Sequence, residues 1–131
     1  MDTTGAVPPA DAIQLFNGRD LSNWTTPDGG KPEWKVEDGV IHVVPRTGDI
    51  VSTESLTDFY LHIEFRCPDK PEATGQQKGN SGIFLHRLYE VQVLDSYGIN
   101  IPGTGDCGAF YEQFAPLVNA CKPPMTWQTY D

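Results

Sequence analysis

The chain has 131 residues, of which 38% are hydrophobic and 11% aromatic, and this composition predicts one globular domain with a substantial core. Its net charge of −9 disfavours nucleic acids and anionic membranes as partners. No apolar run approaches the roughly 20 residues that cross a bilayer, and no intact signal peptide is recognisable. Residues 1–11 are small, polar and Pro-containing, so we interpret them as a flexible leader before a domain at 12–131.

Turn-forming residues divide the domain into short segments. Thirteen Gly and eleven Pro favour short strands joined by turns and leave little room for long helices. A hairpin is predicted across Trp34–Val44, with its turn at Asp38-Gly39, and a short strand at Asp49–Thr53. The clearest alternation of apolar and polar residues runs over Phe59–Cys67, which predicts a strand with one face toward the core.

The second half of the chain shows the same pattern of short segments. Further strands are predicted at Ser81–His86, Tyr89–Leu94, Ala109–Tyr111 and from Trp127 onward, and a helical turn at Phe114–Lys122. Together with the dense turn signals, these elements predict an antiparallel β-sandwich with little helix.

Three cysteines are present, and none has the spacing of a metal site such as C-x-x-C. Cys107 and Cys121 flank a loop-like stretch and could pair, which would leave Cys67 as a buried free thiol. Counting cysteines does not determine their connectivity, so the pairing stays open.

The segment Tyr89–Asp95 holds the most suggestive set of polar residues. On a regular strand Glu90 and Gln92 share one face, whereas Asp95 points to the other. A single β-bulge would bring Asp95 beside the first two and line a groove with three polar groups. The spacing E-x-Q-x-x-D resembles the bulged E-x-D-x-x-E strand of jelly-roll glucanases. In this chain Gln replaces the central Asp of that pattern, and Asp replaces its last Glu. The alternative is an ordinary strand with one face toward solvent.

Other polar residues are expected on the same sheet as Glu90. Glu64, His86 and Arg87 are candidates, although each alone is typical of an ordinary surface position. Asn80 begins the strand that leads to His86. Aromatic side chains such as Tyr111 could stack on a sugar ring, and otherwise belong to the core.

Several blocks of the sequence resemble one known family, the 3-keto-disaccharide hydrolase domain, formerly a domain of unknown function. The opening Leu15–Trp24 (LFNGRDLSNW) is similar to its LFNGKDLSGW. The later blocks that resemble it are Trp34–Gly39, Phe59–Arg66, Asn80–Phe84, Tyr89–Asp95 (YEVQVLD), Gly108–Tyr111 and Trp127–Tyr130. The resemblance runs in order from about Leu15 to Asp131.

The resemblance implies a concanavalin A-like jelly-roll β-sandwich in a secreted or periplasmic bacterial protein. In the family, several more strands follow the block that contains Trp127, so the domain is expected to be truncated at its C-terminus. An open sheet edge would then favour self-association or a companion chain.

The activity that the resemblance implies is cleavage of glycosides already oxidised to a ketone at sugar carbon 3. Such a site needs a base and a group that stabilises an enolate oxygen. The residues considered are Glu90 or Glu64 as base, Arg87 or His86 as electrophilic stabiliser, and Gln92, Asp95, Tyr111 and Asn80 for the sugar. No cofactor is required by the sequence, although a divalent metal could serve as Lewis acid. The alternative function is a non-catalytic, lectin-like carbohydrate-binding module.

Overall fold

The computed structural model describes residues 2–131 and shows a nearly all-β protein. Within that range it has eight short strands, one 3₁₀ turn at Gly75–Gln77 and no α-helix, which confirms the predicted all-β class. The chain forms two compact units, Val7–Phe59 and a second unit made of Met1–Ala6 with Tyr60–Asp131. No helix in the described range is long and apolar enough to cross a membrane.

All strand pairs are antiparallel. In chain order the strands are β1 (Trp24–Thr25), β2 (Lys35–Glu37), β3 (Val40–His42), β4 (Val51–Ser52), β5 (Ile63–Phe65), β6 (Ser81–Leu85), β7 (Tyr89–Val93) and β8 (Gln128–Tyr130). In the Val7–Phe59 unit, β1 pairs with β4 and β2 with β3; in the other unit, β5 pairs with β8 and β6 with β7.

The predicted hairpin of the Val7–Phe59 unit is confirmed. β2 and β3 pair over three residues on each strand, with Val36 opposite Ile41. Asp38 and Gly39 between them have φ angles of 51° and 75°. Two successive left-handed residues match the twist of a two-residue hairpin turn, which explains why Asp-Gly marks this position.

The second unit is organised around β7. Its register with β6 places Ser81 opposite Val93 and Leu85 opposite Tyr89. On the other edge, the Gln92 amide donates to the Ala109 carbonyl at 2.9 Å, and the Tyr111 amide donates to the Glu90 carbonyl at 2.9 Å. The predicted strand at Ala109–Tyr111 is therefore present as a single bridge to β7.

The most buried side chains of this unit lie on and just after β7. Val93, Leu94 and Ala109 are buried, as are the thiols Cys67 and Cys107. Burying one aliphatic side chain contributes roughly 1.5–3 kcal/mol to folding. The core of the unit therefore lies directly behind the strand that carries Glu90 and Gln92.

Two predicted elements differ from the structure. The strand predicted over Phe59–Cys67 is shorter in the structure. Only Ile63–Phe65 forms a strand, where it pairs with the three residues of β8. The helical turn predicted at Phe114–Lys122 is wrong, since that segment contains no helix. There the Asn119 side chain donates to the carbonyls of Ser96 and Ile99 at 2.7 and 2.9 Å, and such local bonds compete with helix formation.

Residues at the start of the chain contact the C-terminal segment within the second unit. The Thr3 hydroxyl bonds the side chains of Thr129 and Asp131 at 2.8 and 2.5 Å. Lys122 Nζ lies 2.6 Å from Asp2 Oδ2. Met1 lies outside the described residues, and the flexibility predicted for the leader 1–11 stays a prediction.

Candidate functional site

One face of the β6–β7 hairpin carries the predicted carboxylate and amide. Glu90 pairs with Phe84 and Gln92 with Gly82, so these four residues share a face. The Glu90 side chain lies across Gly82: a Cβ built on Gly82 would come within 2.7 Å of both Cγ and Cδ of Glu90. Glycine is therefore required at position 82 for Glu90 to keep this conformation.

Side-chain amides form a connected group beside Glu90. Gln92 Nε2 donates to Gln76 Oε1 at 2.8 Å and to the Gly105 carbonyl at 3.3 Å. Asn80 Nδ2 donates to the same Gln76 oxygen at 3.2 Å. Gln76 Nε2 donates to the Gly105 carbonyl at 2.8 Å. The predicted residues Asn80 and Gln92 are thus brought together through a third amide, Gln76.

Gln92 itself is not exposed in a groove as predicted. Its side chain is 0% exposed, and its Oε1 has no hydrogen-bond partner within residues 2–131. A buried acceptor without a donor costs free energy, so Gln92 lowers the stability of the fold at this position. Gln92 is covered while Gln76 and Asn80 are exposed, so the buried amide holds Gln76 directly and reaches Asn80 only through it.

Gln76 is the site residue that the sequence analysis missed. It lies in the 3₁₀ turn Gly75–Gln77, inside a polar loop whose composition predicts no function. The Asp95 amide, which donates to the Lys78 carbonyl at 2.9 Å, anchors the loop beside β7. Neither spacing nor periodicity signals this contact, because it depends on the tertiary path of the loop.

The predicted position of Asp95 is wrong. The carboxylate is 2% exposed and forms an ion pair with Lys78 at 2.8 Å. Its Oδ1 also accepts from the Tyr97 amide at 3.2 Å, which caps the turn after β7. β7 pairs regularly with β6 from Tyr89 to Val93, and Asp95 lies two residues beyond the end of that ladder. Asp95 is therefore a buried structural carboxylate.

His86 and Arg87 lie at the tip of the same hairpin. Their φ angles are 53° and 59°, and the Leu88 amide closes the turn onto the Leu85 carbonyl at 3.0 Å. Left-handed backbone at two consecutive non-glycine residues is uncommon and costs energy. The two side chains were predicted on a strand face and instead project from a turn; their predicted role as stabilisers stays a prediction.

Glu64 lies on β5, in a different ladder from Glu90. Its Oε1 accepts from the Gly5 amide at 2.6 Å and lies 3.5 Å from His62 Nε2. His62 Nδ1 contacts Asp131 Oδ1 at 2.6 Å, and this hydrogen bond raises the pKa of His62 above its usual 6.5. Glu64 is therefore already engaged by neighbours of its own, and its predicted role as base stays a prediction.

Tyr111 borders the amide group from the other edge of β7. Its amide is held by the Glu90 carbonyl, and its ring lies near Gly105, where a built Cβ would be 3.8 Å from Tyr111 Cε2. Four of the predicted residues therefore surround one face: Glu90, Gln92, Asn80 and Tyr111. Across the described part of the chain, no three His, Cys, Asp or Glu side chains are grouped so as to hold a metal ion.

The Val7–Phe59 unit has an open pocket with a volume of about 500 Å³. Trp24 and Trp34 line it together with Arg19, Asp20 and Lys31. Trp34 Nε1 donates to the Gly48 carbonyl at 2.9 Å, whereas the buried Trp24 Nε1 has no acceptor within residues 2–131. The Asp20 carboxylate accepts from Ser22 and Asn17, which lowers the pKa of Asp20 to about 2. It is charged at neutral pH.

Comparison with known structures identifies the fold. A crystal structure of a candidate glycosyl hydrolase from Parabacteroides distasonis ATCC 8503 superposes with a TM-score of 0.86 at 46% identity, over 94% of this chain and 52% of that one. A second such structure from the same organism matches with a TM-score of 0.58 at 24% identity, over 89% of this chain and 60% of that one, and supports the fold alone. The present chain thus spans little more than half of each.

The first match confirms the predicted jelly-roll β-sandwich of the concanavalin A-like class. No protein of curated function matches the chain. Residues 11–131 match the family of the 3-keto-alpha-glucoside-1,2-lyase-like domain, which confirms the resemblance seen in the sequence. On this evidence the chain belongs to the 3-keto-alpha-glucoside-1,2-lyase-like, or 3-keto-disaccharide hydrolase, domain family.

Proposed function

We propose that this chain contributes to an enzyme that cleaves 3-keto-glycosides by removing the proton from sugar carbon 2 and eliminating the aglycone from carbon 1. Family membership over residues 11–131 supports glycoside processing at the level of the family. The single observation that favours this chemistry is the Glu90 carboxylate, which lies over Gly82 next to the amides of Gln76 and Asn80.

The chemistry follows from the ketone. A carbonyl at carbon 3 acidifies the proton on carbon 2, because the electron pair left behind is delocalised onto the carbonyl oxygen as an enolate. Collapse of the enolate breaks the bond between carbon 1 and the glycosidic oxygen, and the leaving group takes up a proton. Water then adds at carbon 1, and a proton returns to carbon 2. The protein must supply a base and hydrogen-bond donors for the enolate oxygen.

Glu90 is the proposed base. It is held on a paired strand, and a rigid element positions a catalytic group more precisely than a loop does. The absence of a side chain at Gly82 leaves room for its carboxylate. Glu64 is the weaker candidate, because it lies on β5, which pairs with β8 and not with the hairpin that carries Gly82 and Gln92.

The amides beside Glu90 are proposed to hold the sugar. Asn80 and Gln76 are exposed, and each offers hydrogen-bonding atoms to hydroxyl groups. Gln92 is proposed to fix Gln76 in place from beneath. Tyr111 borders this face, and an aromatic ring there suits stacking on a sugar. Arg87 or His86, at the hairpin tip, is the proposed donor to the enolate oxygen.

The test is release of aglycone from a chromogenic 3-keto-glucoside, compared with the same glucoside that lacks the ketone. Release from the keto substrate alone is expected, and Glu90→Gln should lower kcat by roughly 10²–10⁴. Glu72→Gln, which changes an exposed carboxylate of the same unit, is the matched control and should leave kcat unchanged. Measuring release with and without a chelator tests for a required metal.

Two results would contradict the proposal. Equal cleavage of the unoxidised glucoside would replace elimination with ordinary glycoside hydrolysis. Saturable binding of the keto-glucoside without any release would favour the lectin-like alternative, since the same face could recognise a sugar without a base.

A further inference from the structure

An exposed aromatic side chain lies on the same face of the β6–β7 hairpin as Glu90, and the proposed chemistry does not use it. Phe84 lies directly opposite Glu90 in the ladder and is 53% exposed. Side chains of directly opposed residues point to one face, with their Cβ atoms about 5 Å apart. Ile83 and Leu85, which flank Phe84 in sequence, point to the other face and are partly buried. The Phe84 ring therefore lies beside the proposed base and is accessible to solvent.

The Glu90 side chain is turned away from this ring. It lies over Gly82, since a Cβ built there would come within 2.7 Å of Glu90 Cγ and Cδ. Gly82 lies two residues from Phe84 along β6, opposite Gln92 and toward the amide of Asn80. The carboxylate therefore lies between the amides and the phenyl ring. Exposure of one apolar residue is common on protein surfaces, whereas a position beside a candidate base is specific to Phe84.

Phe84, Glu90 and Tyr111 form a row across the sheet. The Tyr111 amide donates to the Glu90 carbonyl at 2.9 Å. Val91 bridges Phe110 on one face, which places Glu90 and Tyr111 together on the other. Neighbouring strands are about 4.8 Å apart, so two spacings separate the backbones of Phe84 and Tyr111 by roughly 10 Å. This separation is comparable to the length of two linked six-membered rings. The base thus lies between two aromatic side chains, each of which can contact one ring of a substrate.

We propose that Phe84 binds the aglycone of the substrate and selects aglycones that present a flat, apolar ring face. The inference rests on the proposed function, in which the base removes the proton from sugar carbon 2. The aglycone is bonded to the adjacent carbon 1, so it lies within a few bonds of the Glu90 carboxylate. The amides and Tyr111 are assigned to the sugar that carries the ketone, which leaves Phe84 to contact the group on carbon 1.

A phenyl ring selects by shape, because it has no hydrogen-bonding atom. It can stack on an aromatic aglycone or on the C–H face of a second sugar ring, and either contact buries apolar surface beside the base. A methyl aglycone is too small to cover the ring. Phe84 should therefore favour substrates with ring-shaped aglycones and contribute nothing to the cleavage of a methyl glycoside.

The experiment measures kcat/KM of wild type and Phe84→Ala on three 3-keto-glucosides, whose aglycones are methyl, phenyl and glucosyl. Each comparison uses one substrate in two proteins, so differences in leaving-group chemistry cancel. Phe84→Ala should lower kcat/KM roughly 10-fold on the phenyl and glucosyl substrates, because an apolar contact is lost. It should leave the methyl substrate unchanged, and Phe84→Trp should retain the preference for rings. Phe114→Ala is the matched control, because that ring is 70% exposed in the same unit and its bridge to Phe110 places it on the opposite face.

A binding measurement separates this inference from the proposed function. Dissociation constants of the same three glucosides are measured by calorimetry in Glu90→Gln, with Phe84 intact and with Phe84→Ala. If wild type cleaves none of the glucosides, the proposed function fails. The preference for ring-shaped aglycones should still be present in binding, and Phe84→Ala should abolish it.

Three outcomes would overturn the assignment of Phe84. The first is an equal loss on all three substrates, which would mean that the ring contacts the keto sugar or supports the fold. The second is unchanged kinetics and binding in Phe84→Ala. The third is a protein with intact Phe84 that binds the three glucosides equally. A loss confined to the phenyl or to the glucosyl substrate supports the assignment and identifies the aglycone as aromatic or as a sugar. Phe84→Leu, which keeps apolar volume but lacks a flat face, provides the same test if the alanine variant does not fold.

Discussion

Replacing Gly82 by alanine tests the position of Glu90 without changing its chemistry. A Cβ at this position would lie 2.7 Å from Cγ and Cδ of Glu90, which is closer than carbon atoms approach without a clash. Since Cγ is affected as well as the carboxylate, rotating the end of the side chain does not relieve the contact. The whole Glu90 side chain must adopt another rotamer.

The expected effect on stability is small because two contributions oppose each other. Gly82 does not have a left-handed backbone, so alanine fits the strand and gains roughly 0.5–1 kcal/mol relative to glycine. Forcing Glu90 away from its preferred rotamer costs about 0.5–1.5 kcal/mol. The free energy of unfolding should therefore change by less than about 1 kcal/mol, whereas kcat on the keto-glucoside should fall by roughly 10²-fold if Glu90 is the base.

The assay combines urea denaturation with aglycone release. Gly103→Ala is the matched control, since a Cβ there meets only Asp106 Oδ2 at an ordinary 3.6 Å. Unchanged kcat in Gly82→Ala, at unchanged stability, would refute the argument that Glu90 must lie over Gly82 to act. A loss of several kcal/mol of stability would instead show that the hairpin backbone, and not the Glu90 rotamer, takes up the strain.

Three further predictions concern the second unit. Val93→Ala, at a position 8% exposed, should lower the free energy of unfolding by about 2 kcal/mol in chemical denaturation, from two lost methyl groups and the space they leave. Asp95→Asn should cost about 2 kcal/mol through its buried pair with Lys78 and leave KM for the keto-glucoside unchanged. The hydrogen bond with Asp131 is the main reason that the pKa of His62 is raised. Protonated His62 therefore stabilises the fold fully below pH 6.5, and this contribution is lost as the pH rises through the raised pKa. Melting temperatures of wild type and His62→Gln between pH 5 and 9 should therefore differ most at the acid end. The difference in free energy of unfolding there should not exceed the roughly 1 kcal/mol typical of exposed ion pairs.

Each of these predictions can fail in a specific way. A change below about 0.5 kcal/mol for Val93→Ala would mean that the apolar face of β7 is assigned to the wrong side. A raised KM with normal stability for Asp95→Asn would return Asp95 to the sugar site. Parallel melting curves for wild type and His62→Gln across the pH range would show that the His62 contacts contribute nothing to folding.

Local sequence signals predicted the β2–β3 hairpin and the shared face of Glu90 and Gln92. Asp38-Gly39 identifies its turn because few residues tolerate two consecutive left-handed conformations. The alternation within Tyr89–Val93 places Glu90 and Gln92 on one side because strand geometry has a period of two. Both features depend on a few adjacent residues, so the local sequence is enough to predict them.

The details of the site depended on contacts between residues far apart in sequence. Asp95 is withdrawn from the site by Lys78, which the loop before β6 brings within 2.8 Å. The exposed amide of Gln76 reaches Gln92 through the same loop. The helical turn predicted at Phe114–Lys122 was displaced by the bonds of Asn119 to Ser96 and Ile99. The spacing of residues along the sequence predicts none of these contacts.

The pairing of β7 on both edges has a consequence for how the protein opens. Amides of β7 bond the Gly108–Tyr111 segment on one side while the strand pairs with β6 on the other, so their exchange with deuterated solvent requires a large opening. The two-residue ladder of β1 and β4 has far fewer bonds to break. Deuterium uptake should therefore be slowest in β7 and rapid in the Gly75–Gln77 turn, whose residues are exposed. The proposed base would then lie on the part of this unit that opens least often, whereas the backbone of the turn that carries Gln76 exchanges readily with solvent.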